Sequence, residues 1–145
     1  MREIEIKDKL SNTLVIDIKL SNKINIIDGN SGTGKTFVYD IIKNNKVANI
    51  KCLNKETIDN WKQLKSPVEG FKEILEDNDN TLFIIDRADE IFAEYPEIID
   101  IICNDKSSNT FLLFTRETIF AQDLNTWHII NYDENNDKIT IEPVL

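Results

Sequence analysis

Arginine is scarce in this sequence, which contains only Arg2, Arg87 and Arg116 among its 145 residues. Enzymes that transfer phosphoryl groups between two anionic substrates use several arginines to hold both of them, so a nucleoside-phosphate kinase is disfavoured. The formal net charge is −9, and a field of that sign repels nucleic-acid backbones and anionic lipids. We therefore expect neither broad nucleic-acid binding nor binding to a membrane.

Cysteines and long apolar runs are also few. Cys52 and Cys103 lie far apart, which is typical of free thiols in a reducing cytosol. The longest apolar runs are a few residues, as in "LFII" (82–85), and are too short to cross a bilayer. The first residues, "MREIEIKDKL", lack the apolar core of a signal peptide. The sequence thus predicts a cytoplasmic protein, and its length suits a single domain over residues 1–145.

Glycine is limited to four residues, yet Gly29, Gly32 and Gly34 fall within one stretch of six. Glycine costs backbone entropy when it is ordered, so this density needs a reason. The stretch "GNSGTGKT" matches the pattern G-x-x-x-x-G-K-[ST]. It follows a predicted strand, "KINIID" (23–28), and opens a predicted helix, "KTFVYDIIKN" (35–44). This order favours a phosphate-binding loop over a glycine-rich turn that binds nothing.

This stretch resembles the Walker A motif of the P-loop NTPases. In such a loop the backbone N–H groups form an anion nest, which Cβ atoms would obstruct, at the positive end of a helix. The resemblance implies that Lys35 reaches the β- and γ-phosphates of ATP and that the Thr36 hydroxyl binds Mg²⁺. The residues expected to contact the nucleotide are Gly29, Asn30, Ser31, Gly32, Thr33, Gly34, Lys35, Thr36 and Phe37.

Two strand ends extend the resemblance. Asp86 ends the apolar run "LFIID" as the Walker B aspartate does, and the resemblance implies that Asp86 holds Mg²⁺ through water. Thr115 ends "FLLFT", like the sensor-1 residue that contacts the γ-phosphate in the additional-strand class, which includes the AAA+ and STAND groups. The alternatives are a helix-capping aspartate and a strand that merely ends in threonine.

The sequence departs from that class directly after Asp86. Arg87 stands where a glutamate usually polarises the attacking water, and Asp89 and Glu90 are the next carboxylates. Both suit the first turn of a helix, although Asp89 is also a candidate for positioning water. Together with Lys35, Asp86 and Thr115, Asp89 completes the set of expected catalytic residues. The departure predicts slow or partner-stimulated ATP hydrolysis; the alternative is a nucleotide-dependent interaction module with little or no hydrolysis.

Arg87 and Arg116 follow Asp86 and Thr115 directly. Either arginine is expected to act on the bound phosphates in cis, to act in trans on another subunit of a homo-oligomer, or to form an ion pair with Asp89 or Glu117. If hydrolysis is stimulated, the stimulating partner is either another subunit of a homo-oligomer or a different protein.

Strand and helix patterns alternate through the middle of the chain, which is typical of an α/β protein. The resemblance implies a three-layer α/β/α sandwich with a mainly parallel central sheet of strand order 5-1-4-3-2. In this order "TFLLFT" (110–115) lies between "KINIID" and "TLFIID" (81–86), and "WHIINY" (127–132) is the fifth strand. Hairpins at the two ends of the chain are expected to add antiparallel edges. The result is a minimal domain without the helical lid of the AAA+ proteins.

Overall fold

A computed structural model of the chain describes residues 2–11, 13–28, 34–63, 65–116 and 127–144. Within these ranges the strands form two four-stranded sheets, accompanied by five α-helices. The strands are β1 (Arg2–Lys7), β2 (Val15–Leu20), β3 (Ile24–Asp28), β4 (Ile50–Leu53), β5 (Leu82–Ile85), β6 (Thr110–Thr115), β7 (His128–Asp133) and β8 (Lys138–Pro143). The helices are α1 (Lys35–Asn45), α2 (Lys55–Asp59), α3 (Pro67–Glu76), α4 (Ala88–Glu94) and α5 (Glu97–Asn104).

One of the two sheets is wholly parallel, with strand order β3-β6-β5-β4. Every residue of β5 is buried, and so are the last five residues of β6, as expected for parallel strands that are covered on both faces. The expected position of β6 between β3 and β5 is confirmed.

The second sheet is mixed and has the strand order β1-β2-β8-β7. Its outer pairs, β1 with β2 and β7 with β8, are antiparallel hairpins, whereas β2 and β8 run parallel to each other. In β2 the side chains of Ile16, Ile18 and Leu20 are buried while those between them are not. This alternation gives the sheet one apolar face.

The predicted fold class, a three-layer α/β/α sandwich around one central sheet of order 5-1-4-3-2, is wrong. The expected fifth strand, β7, does not pair with β3; the pairing there is one isolated bridge between Ile26 and Trp127, the residue before β7. All six residues of β7 pair with β8 instead. The terminal hairpins form a sheet of their own rather than edges of the parallel one. Most of β7 is exposed, and such a strand does not suit a sheet that is covered on both faces.

The core lies on both faces of the parallel sheet. One face packs against α2, α3, α4 and α5, with Phe71 and Phe92 among the buried contacts. The other face packs against α1 and the apolar face of the mixed sheet, with Tyr39 and Ile18 in the interior. The mixed sheet therefore takes up much of the space that the prediction gave to a second helical layer.

Proline lacks a backbone N–H donor and restricts the residue before it, so the sequence predicts a helix break near Ser66 and Pro67 and another at Pro96; both breaks are confirmed. The helical region 55–77 divides before Pro67, which is the first residue of α3, and Ser66 caps this helix by accepting a 3.1 Å hydrogen bond from the Glu69 N–H. Pro96 separates α4 from α5. For residues 116–125 the sequence predicts a short polar helix or loop, and this segment lies outside the described residues beyond Arg116. None of the helices described has the length and apolar character that a membrane crossing requires.

Candidate functional site

The junction between β3 and α1 is the centre of the candidate site. Gly34 immediately precedes α1 with φ 90° and ψ 4°, in the left-handed region, where glycine avoids the strain that a Cβ atom causes. No acidic side chain lies in the first turn of α1, so the positive end of its dipole is not neutralised there. The other predicted loop residues lie outside the described residues; they are Gly29, Asn30, Ser31, Gly32 and Thr33.

Lys35 is buried, with 7% of its surface exposed. Burial lowers the pKa of its ammonium group, while the carboxylates of Asp28 and Asp89 act in the opposite direction and the charges of Arg116 and Arg87 add to the lowering. The charged residues that affect Lys35 therefore come from the end of β3, the first turn of α4 with the residue before it, and the residue after β6. The positive charge of Lys35 thus lies at the N-terminus of α1.

The carboxyl ends of the parallel strands supply the next groups. Asp28 and Thr115 are partners in the register of β3 and β6, and Asp86 follows β5 directly. Burial raises the pKa of the half-buried Asp86 carboxyl, whereas the hydrogen bond from the Arg87 N–H and the charges of Arg87 and Lys35 lower it. The structure therefore brings Asp86 and Lys35, which lie far apart in the sequence, within electrostatic reach of each other.

Thr115 is fully buried, and its hydroxyl has no hydrogen-bond partner among the residues described. An unpaired buried polar group is costly, by about 1–3 kcal/mol. The group lies at the same sheet edge as Asp28, where ligands bind in open α/β sheets. Thr115 therefore offers a hydrogen-bonding group to a ligand at this edge.

Arg87 pairs with the carboxylates that follow it. Its Nε lies 3.5 Å from Asp89 Oδ1, and its Nη2 lies 2.8 Å from Glu90 Oε1. The expected ion pair between Arg87 and Asp89 is thus observed. Arg87 has φ 49° and ψ 49°, a left-handed conformation that is uncommon for residues other than glycine. Both carboxylates lie in the first turn of α4, where the helix dipole favours them.

Thr36 and Phe37 lie on the exposed side of the first turn of α1. The described residues contain no group of three or more His, Cys, Asp or Glu side chains that could hold a metal ion. Magnesium characteristically keeps several water molecules and takes only one or two protein carboxylates. The expected metal ligands therefore remain a prediction.

Sequence reasoning overlooked Asp28 and Tyr39. Asp28 is the last residue of β3 and influences Lys35; its position directly before Gly29 was the available signal. Tyr39 is buried, its hydroxyl has no hydrogen-bond partner among the described residues, and burial followed by the charges of Cys52 and Asp86 raises its pKa. Its spacing of four residues from Lys35 places it on the same face of α1.

Comparison with known proteins assigns the chain to no family. No model of a known protein family matches it, and no curated protein matches it significantly. The chain's own residues and their arrangement are therefore the evidence for its function.

Proposed function

We propose that the chain binds Mg²⁺–ATP at the junction of β3 and α1, as a P-loop protein that hydrolyses the nucleotide slowly or on stimulation by a partner. The observation that carries the proposal is the buried Lys35, which directly follows "GNSGTG" in the first turn of α1. A lysine at this position contributes one compact positive charge to the β- and γ-phosphates. The carboxylates of Asp28 and Asp89 favour the charged form of that lysine.

The remaining roles belong to Thr36 on α1 and to the residues at two strand ends. Thr36 and Asp86 bind Mg²⁺, the latter through water, and the Thr115 hydroxyl donates to the γ-phosphate or the attacking water. A phosphate oxygen would give the buried Thr115 hydroxyl the partner that the described residues do not provide. This proposal depends on the order strand, glycine-rich loop and helix, and it does not require a single central sheet.

The pairing of Arg87 favours a second candidate function, a nucleotide-dependent interaction module with little or no hydrolysis. Asp89, the candidate for positioning water, lies 3.5 Å from the Arg87 guanidinium. A carboxylate that is held by a neighbouring cation is less available to orient the attacking water. In either case we infer a cytoplasmic protein that works with a partner protein or with further copies of itself.

The test is the affinity for Mg²⁺–ATP, measured by isothermal titration calorimetry. We expect Lys35→Ala to weaken binding by about tenfold or more, because hydrogen bonds to a charged group contribute about 1.5–3 kcal/mol. Lys35→Met, which keeps an unbranched apolar stem, should show the same loss if charge is the cause. Lys43→Ala is the matched control, since Lys43 lies in the last turn of the same helix. Unchanged affinity in both Lys35 variants would contradict the proposal.

A further inference from the structure

A cavity of about 420 Å³ opens beside the N-terminus of α1, between this helix and the mixed sheet. Gly34, Phe37 and Val38 line it from the helix side, and Tyr132, Asp137 and Ile139 line it from the hairpin of β7 and β8. The cavity thus adjoins Gly34, the residue that precedes Lys35. Its other wall comes from the hairpin, which is not part of the predicted phosphate-binding motif.

The walls of this cavity contain two exposed aromatic rings. Phe37 and Tyr132 are the exposed aromatic side chains among the residues that the structure describes, at 58% and 57%. They come from different elements, α1 and β7, and meet at one cavity whose other walls include the aliphatic Val38 and Ile139. Flat apolar walls of this kind suit a planar aromatic ligand, since aromatic rings attract one another in stacked and edge-to-face geometries.

Hydrogen bonds hold the Tyr132 ring in place. Its hydroxyl donates to Asp137 Oδ1 at 3.0 Å, and the other carboxylate oxygen of Asp137 accepts a hydrogen bond from Thr13. The Asp137 carboxylate also makes this part of the cavity wall unfavourable for phosphate, because like charges repel. The charges therefore favour phosphates near Lys35 and an uncharged part of the ligand near Tyr132.

We propose that this cavity holds the base of the bound nucleotide, a purine that contacts the rings of Phe37 and Tyr132. The inference rests on the proposed function, because the triphosphate site beside Gly34 gives the cavity its occupant. The larger double ring of a purine offers more stacking surface to two aromatic side chains than a pyrimidine does.

The test compares ATP, CTP and inorganic tripolyphosphate, each with Mg²⁺, by titration calorimetry of the full chain. We expect the wild type to bind ATP more tightly than CTP or tripolyphosphate. Phe37→Ala and Tyr132→Ala should each weaken ATP binding by about tenfold, which is about 1.4 kcal/mol, because each variant removes one ring that stacks on the base. Tripolyphosphate binding should not change. Tyr132→Phe, which retains the ring, should keep most of the ATP affinity.

Ile129→Ala is the matched control, since Ile129 is an exposed apolar residue of the same strand, 41% exposed, and does not line the cavity. Equal wild-type affinities for ATP and tripolyphosphate, equal affinities for ATP and CTP, or unchanged ATP binding in both ring variants would overturn the base site while leaving the proposed function intact. Equal losses for ATP and tripolyphosphate in the ring variants would overturn it as well. A wild type that binds neither ATP nor tripolyphosphate would overturn both proposals.

Discussion

Asp86 combines a structural cost with an expected ligand role. Burial raises the pKa of its carboxyl, which means that the folded protein disfavours the charged form. A group whose pKa is raised on folding contributes stability at low pH, and this contribution is lost as the pH rises through the folded pKa. The charged Asp86 therefore destabilises the fold at neutral pH, which is a cost that functional sites commonly bear.

At the residue scale, we expect Asp86→Asn to weaken Mg²⁺-dependent ATP binding by about 10- to 100-fold, the usual effect of removing an outer-shell metal partner. The same variant should unfold at an equal or higher temperature than the wild type at pH 7, because it removes a disfavoured charge. In the wild type, the Mg²⁺ dependence should weaken on acidification at a higher pH than an ordinary aspartate would give. Calorimetric titrations between pH 4 and 8 and thermal melts measure these effects.

Asp79→Asn is the control for this prediction, since Asp79 is exposed and lies before β5 rather than after it. If Asp86→Asn melts at a clearly lower temperature and the wild type shows no Mg²⁺ dependence, Asp86 has only a structural role.

At the scale of elements, the start of α1 depends on the backbone of Gly34. Apart from its chain neighbours and the backbone of its own helix, no atom of the described residues would lie within 4 Å of a Cβ atom built there, so crowding by these residues is not what requires glycine. The requirement comes from its φ of 90°. At Gly70 the reason is different, because a Cβ atom there would lie 2.8 Å from Trp61 Cε3.

We expect Gly34→Ala to lower the free energy of unfolding by about 1–2 kcal/mol, the cost of a left-handed conformation for an L-residue. Gly34→Asn should lose less, since asparagine tolerates this region better than alanine. Chemical denaturation of the three proteins measures the difference. Equal stability of the glycine and alanine forms would show that α1 begins with a different backbone conformation in solution.

At the scale of the whole molecule, the distribution of arginine bears on turnover. Arg87 is held by Asp89 and Glu90, whereas Arg116 is exposed at the end of β6 and its charge reaches Lys35. An added arginine commonly accelerates phosphoryl transfer by about 10³- to 10⁵-fold. Of the two arginines, Arg116 is therefore the better candidate for acting on bound phosphates, either in its own chain or in another copy of the chain.

We expect the isolated chain to hydrolyse ATP slowly, with an activity per chain that rises with protein concentration and falls in Arg116→Ala. Phosphate release measured across a wide concentration range tests this. Arg2→Ala is the control, since Arg2 contacts Thr110 at the opposite end of β6. Rapid hydrolysis that is independent of concentration and survives the loss of both Arg87 and Arg116 would contradict the prediction.

The sequence alone determined the features that depend on near neighbours. The buried runs of β5 and β6, the interruptions before Pro67 and at Pro96, and the order strand, glycines and helix around Gly34 could all be read from it. Hydrophobic periodicity, proline and glycine affect the backbone over a few residues, so the local sequence is enough to predict the secondary structure that depends on them. The match to a phosphate-binding loop is of the same local kind, and it remains a prediction of function.

Only the tertiary structure decided which distant elements meet. It assigned β7 to the mixed sheet, brought Asp28 and Asp89 to Lys35, and formed the cavity between Phe37 and Tyr132. Strand partners and the burial of charges depend on packing between segments far apart in the chain, since each strand carries hydrogen-bonding groups that fit several neighbours. The apolar face of β2 and β8 packs against the parallel sheet, and this packing favours the strand pairs that are observed over the alternatives.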